Sequence, residues 1–147
     1  SSFTLHERAD SCTFAYDRLL ADNQGFTQVQ IPTVSLDDFL TAEQLPRPNM
    51  VKIDAEGWDL NVIAGGSTGI AHASVVLVEA AVCNKSFKNC LFSVLSAMRE
   101  LGHRPFDMTD LNRSAQGALW LLEVAFVKIG DPLDQISSAF AVSTKND

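Results

Sequence analysis

The chain has no apolar stretch approaching the roughly 20 residues that cross a bilayer. Its valine-rich run Val75–Val78 is stopped at once by Glu79. No charged-then-apolar segment opens it, so no signal peptide is read. Cysteine is scarce. Cys12, Cys83 and Cys90 are an odd number at undiagnostic spacing, which argues against a disulfide framework or a zinc site and points to reduced thiols in a cytoplasmic setting. Basic residues are also few, with 11 lysines and arginines against 18 acidic residues and a net charge of −7. Such a chain lacks the basic face that neutralises phosphates or meets anionic lipid, so neither nucleic acid nor a membrane is an expected partner. No Gly-x-Gly occurs anywhere, and the only early glycine is Gly25. The chain opens on Ser1 rather than methionine, which reads as a processed or partial chain.

What is present is an ordinary globular composition. The 147 residues, 46% hydrophobic and 20% charged, suffice for one domain with a hydrophobic core. That domain is expected over residues 1–130, with its core in 27–128 and a polar tail over 131–147. Phe3–Glu7 reads weakly as a strand, and a short helix is expected around Tyr16–Ala21. Thr27–Val34 alternates like an edge strand. Ser35 followed by Asp37 and Asp38 marks a helix start, through a side-chain cap and acidic residues at the positive end of the dipole. Met50–Ile53 reads as a strand. A helix over Trp58–Ala64 should follow, stopped by Gly65 and Gly66.

Ser74–Ala80 is the strongest strand signal, apolar on both faces as in a buried parallel sheet. Phe87, Cys90, Leu91, Val94, Leu95, Met98 and Leu101 recur at three- and four-residue steps, so Phe87–Leu101 predicts an amphipathic helix ended by Gly102. Arg104–Asp107 fits a short strand and Leu119–Val127 a longer one. Strands alternating with helices imply an α/β fold with a mostly parallel sheet covered on both faces, closed by a final antiparallel strand. In such sheets ligands sit at the carboxyl ends of the strands. Asp54, Glu56 and Glu79 fall there.

Val51-Lys-Ile-Asp-Ala-Glu-Gly-Trp-Asp-Leu-Asn-Val-Ile-Ala-Gly-Gly66 resembles the strand-four signature of FkbM-type S-adenosylmethionine-dependent methyltransferases, roughly Lys-Ile-Asp-x-Glu-Gly-x-Glu before an apolar helix. Three flanking segments agree in order and spacing: Val34-Ser-Leu-Asp-Asp-Phe-Leu40, Val75-Val-Leu-Val-Glu79 and Leu101-Gly-His-Arg-Pro-Phe106. Asp59 stands where the family usually has Glu, and His103 where it usually has Tyr. The family's opening Asp-x-Gly-x-Asn-x-Gly loop does not occur. The resemblance therefore implies a Rossmann-like class I methyltransferase fold lacking strands one to three. It also implies transfer of a methyl group from S-adenosylmethionine to a hydroxyl on a sugar or small secondary metabolite. Asp54, Glu56 and Glu79 would serve catalysis, and Asp54 and Gly57 would contact the cofactor, most of whose other contacts would come from residues not present.

Each candidate also has a plainer role. Asp54 could cap the following helix, with Glu56 favouring its positive end; Gly57 suits a positive φ. A carboxylate ending a buried strand, like Glu79, needs either a wet cleft or a cation such as Lys52 or Arg104. Asp54, Glu56 and Glu79 offer oxygen ligands to a hard cation, yet no histidine stands at diagnostic spacing and no metal is expected. His103 reads as a partner for helix-end carbonyls, Asp107 and Asp110 as a solvated loop, and Cys90 and Trp120 as core. A Ser–His–Asp hydrolase is not expected. If the chain acts without a glycine loop, the competing reading is a non-catalytic or relic α/β module. It would pair with another chain through the exposed edge of Met50–Ile53.

Overall fold

The computed structural model describes residues 1–5, 12–14, 18–83 and 88–137. Two short strands, β1 (Ser2–Leu5) and β2 (Thr27–Gln30), pair antiparallel around α1 (Arg18–Gln24). Helix α2 (Leu36–Ala42) begins where its sequence dictates. The Ser35 hydroxyl accepts the Asp38 amide at 3.1 Å, and Asp37 and Asp38 occupy the first turn. The chain then enters β3 (Met50–Ile53), α3 (Asp59–Gly65), α4 (Ser67–His72) and β4 (Val75–Ala81). Helix α5 (Leu91–Glu100), strands β5 (His103–Arg113) and β6 (Leu119–Lys128), and helix α6 (Pro132–Ser137) complete it.

The larger sheet has the order β3-β4-β6-β5. β3 runs parallel to β4, while β6 is antiparallel to both β4 and β5. Three strands therefore point one way and the last in sequence points back, inserted between β4 and β5. This is the α/β sheet, mainly of one direction with a final antiparallel strand, that the alternation of elements implied.

The core lies on one face. Val76, Val78 and Ala80 of β4 and Leu122, Val124 and Phe126 of β6 pack with Ile63 of α3, Ile70 of α4, and Val94 and Met98 of α5, all buried. The stripe expected on α5 is the one that packs, with Leu91, Leu95 and Leu101 at its margin. Phe87 lies outside the described residues, as do His6 and Tyr16 of the first segment. Gly102 ends the helix at φ 80°, a left-handed conformation that costs glycine little. Among the described residues, coverage of both faces is not found. Among these, the helices that build the core share one face, and the residues alternating with it, Lys52, Leu77, Glu79 and Glu123, are exposed or half-buried.

Other expectations are also corrected. Helix α3 does stop at Gly65, with Gly66 as its C-cap, but a further helix, α4, starts at once at Ser67. Gly66, at φ −120°, joins α3 to α4, and a Cβ there would stand 2.9 Å from Leu36 Cδ2. Its glycine serves close helix approach rather than a left-handed turn. β5 runs to Arg113, well past Asp107, because register shifts at Pro105/Asp107 and Thr109/Asn112 keep a polar edge strand paired with β6. Asp107 and Asp110 therefore sit on this edge, not in a loop. Trp120 is 38% exposed rather than core. Cys90 stands at the N-cap of α5, half-buried beside the Ser93 hydroxyl. Residues 132–137 of the polar tail form α6, tied down by the Arg104–Asp134 ion pair and by Ser74 donating to Asp131 at 2.7 Å; residues 138–147 lie outside the description.

Asp37 illustrates how the helical layer is locked. Its carboxylate leaves its own helix and accepts the Thr68 and Gly69 amides, both at 2.8 Å, so α2 caps α4. Burial alone would raise its pKa, but these amides outweigh it and hold the carboxyl below its usual range. Asp37→Ala is expected to lower stability by about 1–2 kcal/mol, read as a shift of the urea midpoint without a change in slope. An unmoved midpoint would mean that the cap carries no net energy.

Candidate active site

Strand β3 ends at Ile53, whose register partner on β4 is Val78. The next residue on each chain is a carboxylate, Asp54 after β3 and Glu79 within β4. Parallel pairing thus sets the two acids beside each other where β3 ends. After Asp54 the backbone turns sharply. Glu56 has φ 50° and Gly57 φ 94°, two successive left-handed residues, and the Trp58 amide closes the turn on Ala55 O at 3.0 Å. Gly57 takes this conformation at little cost, whereas Glu56 is a non-glycine residue held where side chains seldom go. Its carbonyl receives the Phe14 amide at 3.2 Å and the Thr13 hydroxyl, which pins the loop to the N-terminal segment.

Asp54 does not cap α3. The N-cap is Trp58, which makes no side-chain capping bond. Its ring instead stacks on Phe14, with centroids 4.7 Å apart. Together they wall a groove of about 510 Å³ between α2 and α3, lined also by Leu36, Phe39, Ala55 and Val62. Ala55 is thus shared between the acidic loop and an apolar groove.

Glu79 is the perturbed group. Burial first, and then the charges of Asp54, Asp59 and Glu56, push its carboxyl from an ordinary 4.5 up to about 7. Among the described residues no ion pair neutralises it. Lys52 is taken by Glu123 at 3.1 Å and stands 3.8 Å from Asp54. The Glu123 contact raises the pKa of this exposed lysine. Arg104 is engaged by Asp134. Glu79 also faces Glu123 directly across the β4–β6 pairing, an arrangement of like charges that Lys52 offsets from one side.

Three residues of this neighbourhood were not singled out from sequence as site residues: Asp59, Asn89 and Glu123. Glu123 had a signal, a lone charge inside the apolar strand Leu119–Val127. Asp59 is fully buried, accepts the Ala55 amide at 3.1 Å and binds Asn89 Nδ2 at 2.9 Å. His103 does bind a helix-end carbonyl, but that of Ala73 after α4, through Nε2 at 2.8 Å. It is buried away from the carboxylates of the β3 loop. Gly65-Gly66-Ser67-Thr68-Gly69 has the spacing of a hydrolase nucleophile elbow. That elbow needs a strand-to-helix turn, and Ser67 instead opens a helix that follows another helix.

Residues 3–105 match the methyltransferase FkbM domain. The chain belongs to this family. Its matched segment contains α2, β3, the acidic loop and β4, and it ends at Pro105 in β5. The chain is also similar to the hexuronic acid methyltransferase AglP of Haloferax volcanii, 37% identical over 49 residues. That overlap covers 33% of this chain and 20% of AglP, so the chain matches about a fifth of this curated relative's length. No solved structure matches the chain significantly. Among the described residues of this FkbM domain no helix is long and apolar enough to cross a membrane.

A concentration of carboxylates such as Asp54, Glu56 and Glu79 complements a cationic ligand, and the glycine of the Asp54–Gly57 turn lets a ligand approach the backbone.

Proposed function

We propose that this FkbM domain is the acceptor-side part of an S-adenosylmethionine-dependent O-methyltransferase of the Rossmann-like class I fold, acting on a hydroxyl of a sugar or small metabolite. The observation that carries the reading is the Glu79 carboxyl, raised to about 7 beside Asp54. A general base works best with a pKa near the operating pH. Glu79, when ionised, takes the proton of the acceptor hydroxyl, while Asp54 orients that hydroxyl and Glu56 contributes negative charge. Asp54 and Gly57 contact the cofactor, which supplies the activated methyl group when bound. In-line alignment of the acceptor oxygen is the geometric demand on these residues. The named activity of AglP toward hexuronic acid supports a sugar acceptor.

The family's Asp-x-Gly-x-Asn-x-Gly loop does not occur in this sequence, so the chain as given is expected to bind S-adenosylmethionine weakly or not at all. The test is calorimetric titration of this chain and of the whole natural polypeptide, followed by methyl transfer to a hexuronic acid. Micromolar binding and transfer by the whole polypeptide are expected. No binding by either sinks the reading.

One observation favours a second reading, a module that pairs with another chain. β3 is the edge of its sheet, and Met50 on it is 59% exposed. Exposed apolar edges invite strand pairing. A concentration-dependent dimer that Met50→Lys dissolves, without any cofactor binding, would support this reading over the first.

A further inference from the structure

We propose that Asp59 and Asn89 form a buried positioning pair that fixes the Asp54–Gly57 loop against the end of β4 and so sets the placement of Asp54 relative to Glu79. The inference rests on the carboxylate site proposed above and adds two residues to it, neither of which touches the acceptor.

The geometry runs through both strands. Asp59 is fully buried and Asn89 is 2% exposed. One carboxylate oxygen of Asp59 accepts the Ala55 amide at 3.1 Å, and the other accepts Asn89 Nδ2 at 2.9 Å. Asn89 is itself anchored to β4, since its backbone carbonyl accepts the Ala81 amide at 3.1 Å. Ala81 lies two residues beyond Glu79, and Ala55 directly follows Asp54. A continuous chain of hydrogen bonds therefore links the residue after Asp54 to the strand that carries Glu79.

The loop needs such a tether. Glu56 at φ 50° lies in a sparsely populated region, which persists only when surrounding bonds over-determine it. Ala55 is held at both ends, its amide by Asp59 and its carbonyl by Trp58. Burying an acid is costly, and burial raises the pKa of Asp59 against the pull of the Ala55 amide and other backbone amides. Asn89 Oδ1 is buried with no partner among the described residues, a second cost at the same place. An apolar pair of similar size would remove both costs but would leave the Ala55 amide unbound. Holding that amide is what the acid accomplishes.

Amide hydrogen exchange on this chain tests the tether without requiring activity. In Asp59→Ala and Asn89→Ala, exchange at Ala55 is expected to accelerate about tenfold or more, the size of one lost hydrogen bond, while the Val78 and Val124 amides change less. Asp59→Asn is expected to restore much of the protection. Its Oδ1 still accepts from Ala55, and Asn89 can turn its free Oδ1 toward the new amide. In the whole natural enzyme the alanine variants should lower kcat and raise the cofactor KM, because Asp54 and Gly57 contact the cofactor, and Asp59→Asn should recover part of both. Wild-type exchange at Ala55 in both alanine variants overturns the proposal, and so does an equal acceleration at all amides. If the wild-type enzyme transfers no methyl group, the functional reading fails while the exchange result still decides the tether.

Discussion

Replacing Phe126 with alanine is expected to lower the unfolding free energy by about 3–5 kcal/mol, the usual cost of deleting a buried aromatic side chain and leaving a partly relaxed cavity. Phe126 heads the fully buried side chains and sits on β6 between Val76 of β4 and Pro105 of β5. Its ring belongs to the cluster formed with Ile63, Ile70, Val94 and Met98. β6 is the antiparallel strand that joins β5 to the rest of the sheet, so loosening it separates the two sides. Domains of this size are stable by only about 5–15 kcal/mol, so the loss is a large share of the total. Urea denaturation should show the midpoint falling sharply. Phe92→Ala is the control, because Phe92 is 85% exposed on α5, and its effect should stay within about 0.5 kcal/mol. Equal effects at the two positions would show that the core is not organised around β6.

Much of this architecture was legible because its determinants are local. Ser35 and the acids after it start α2 through contacts three residues apart. The stripe through Leu91, Val94, Leu95 and Met98 marks the buried side of α5. Gly57 and Gly102 stand where positive φ is required. The resemblance also put Asp54 and Glu79 at the ends of two successive strands, although it could not say which would be perturbed. That depends on how deeply Glu79 is buried and on charges brought in by the fold. What escaped detection is tertiary. The length of β5 is invisible in a run containing Asp107, Asp110 and Asn112, because an edge strand takes its pairing from β6 and leaves those side chains in water. α4 was hidden behind two glycines that are there for close packing, Gly65 against Ser35 and Gly66 against Leu36. Asn89 pairs with Asp59 across thirty positions, and no periodicity reports such a contact.

Glu79→Gln is expected to do two opposite things, and their combination is diagnostic. Under the proposed function it should reduce methyl transfer by about 10²–10⁴, the usual contribution of a positioned general base. The acid limb of the wild-type pH–rate profile, set near the Glu79 pKa of about 7, should vanish with it. At the same time the protein should become more stable above neutral pH. Because folding raises the Glu79 pKa from 4.5 to about 7, the folded state holds a proton that the unfolded chain has released across that window. Wild-type stability therefore falls as pH rises from about 4.5 to about 7 and stays low above it. The full shift corresponds to about 3 kcal/mol, but solvent reaches a half-buried carboxyl, so a gain of about 1–2 kcal/mol in the glutamine variant is expected at pH 8. At pH 4 the two proteins should melt together, since glutamine and protonated glutamate are nearly isosteric and both neutral. Thermal melts at pH 4, 6 and 8 measure this directly. Full activity in the variant removes Glu79 from the reaction. An unchanged difference in melting temperature across pH places the folding-linked proton on another group. Loss of rate together with a pH-dependent gain in stability would show that the burial which makes Glu79 a base near neutrality is the same burial that destabilises the fold there.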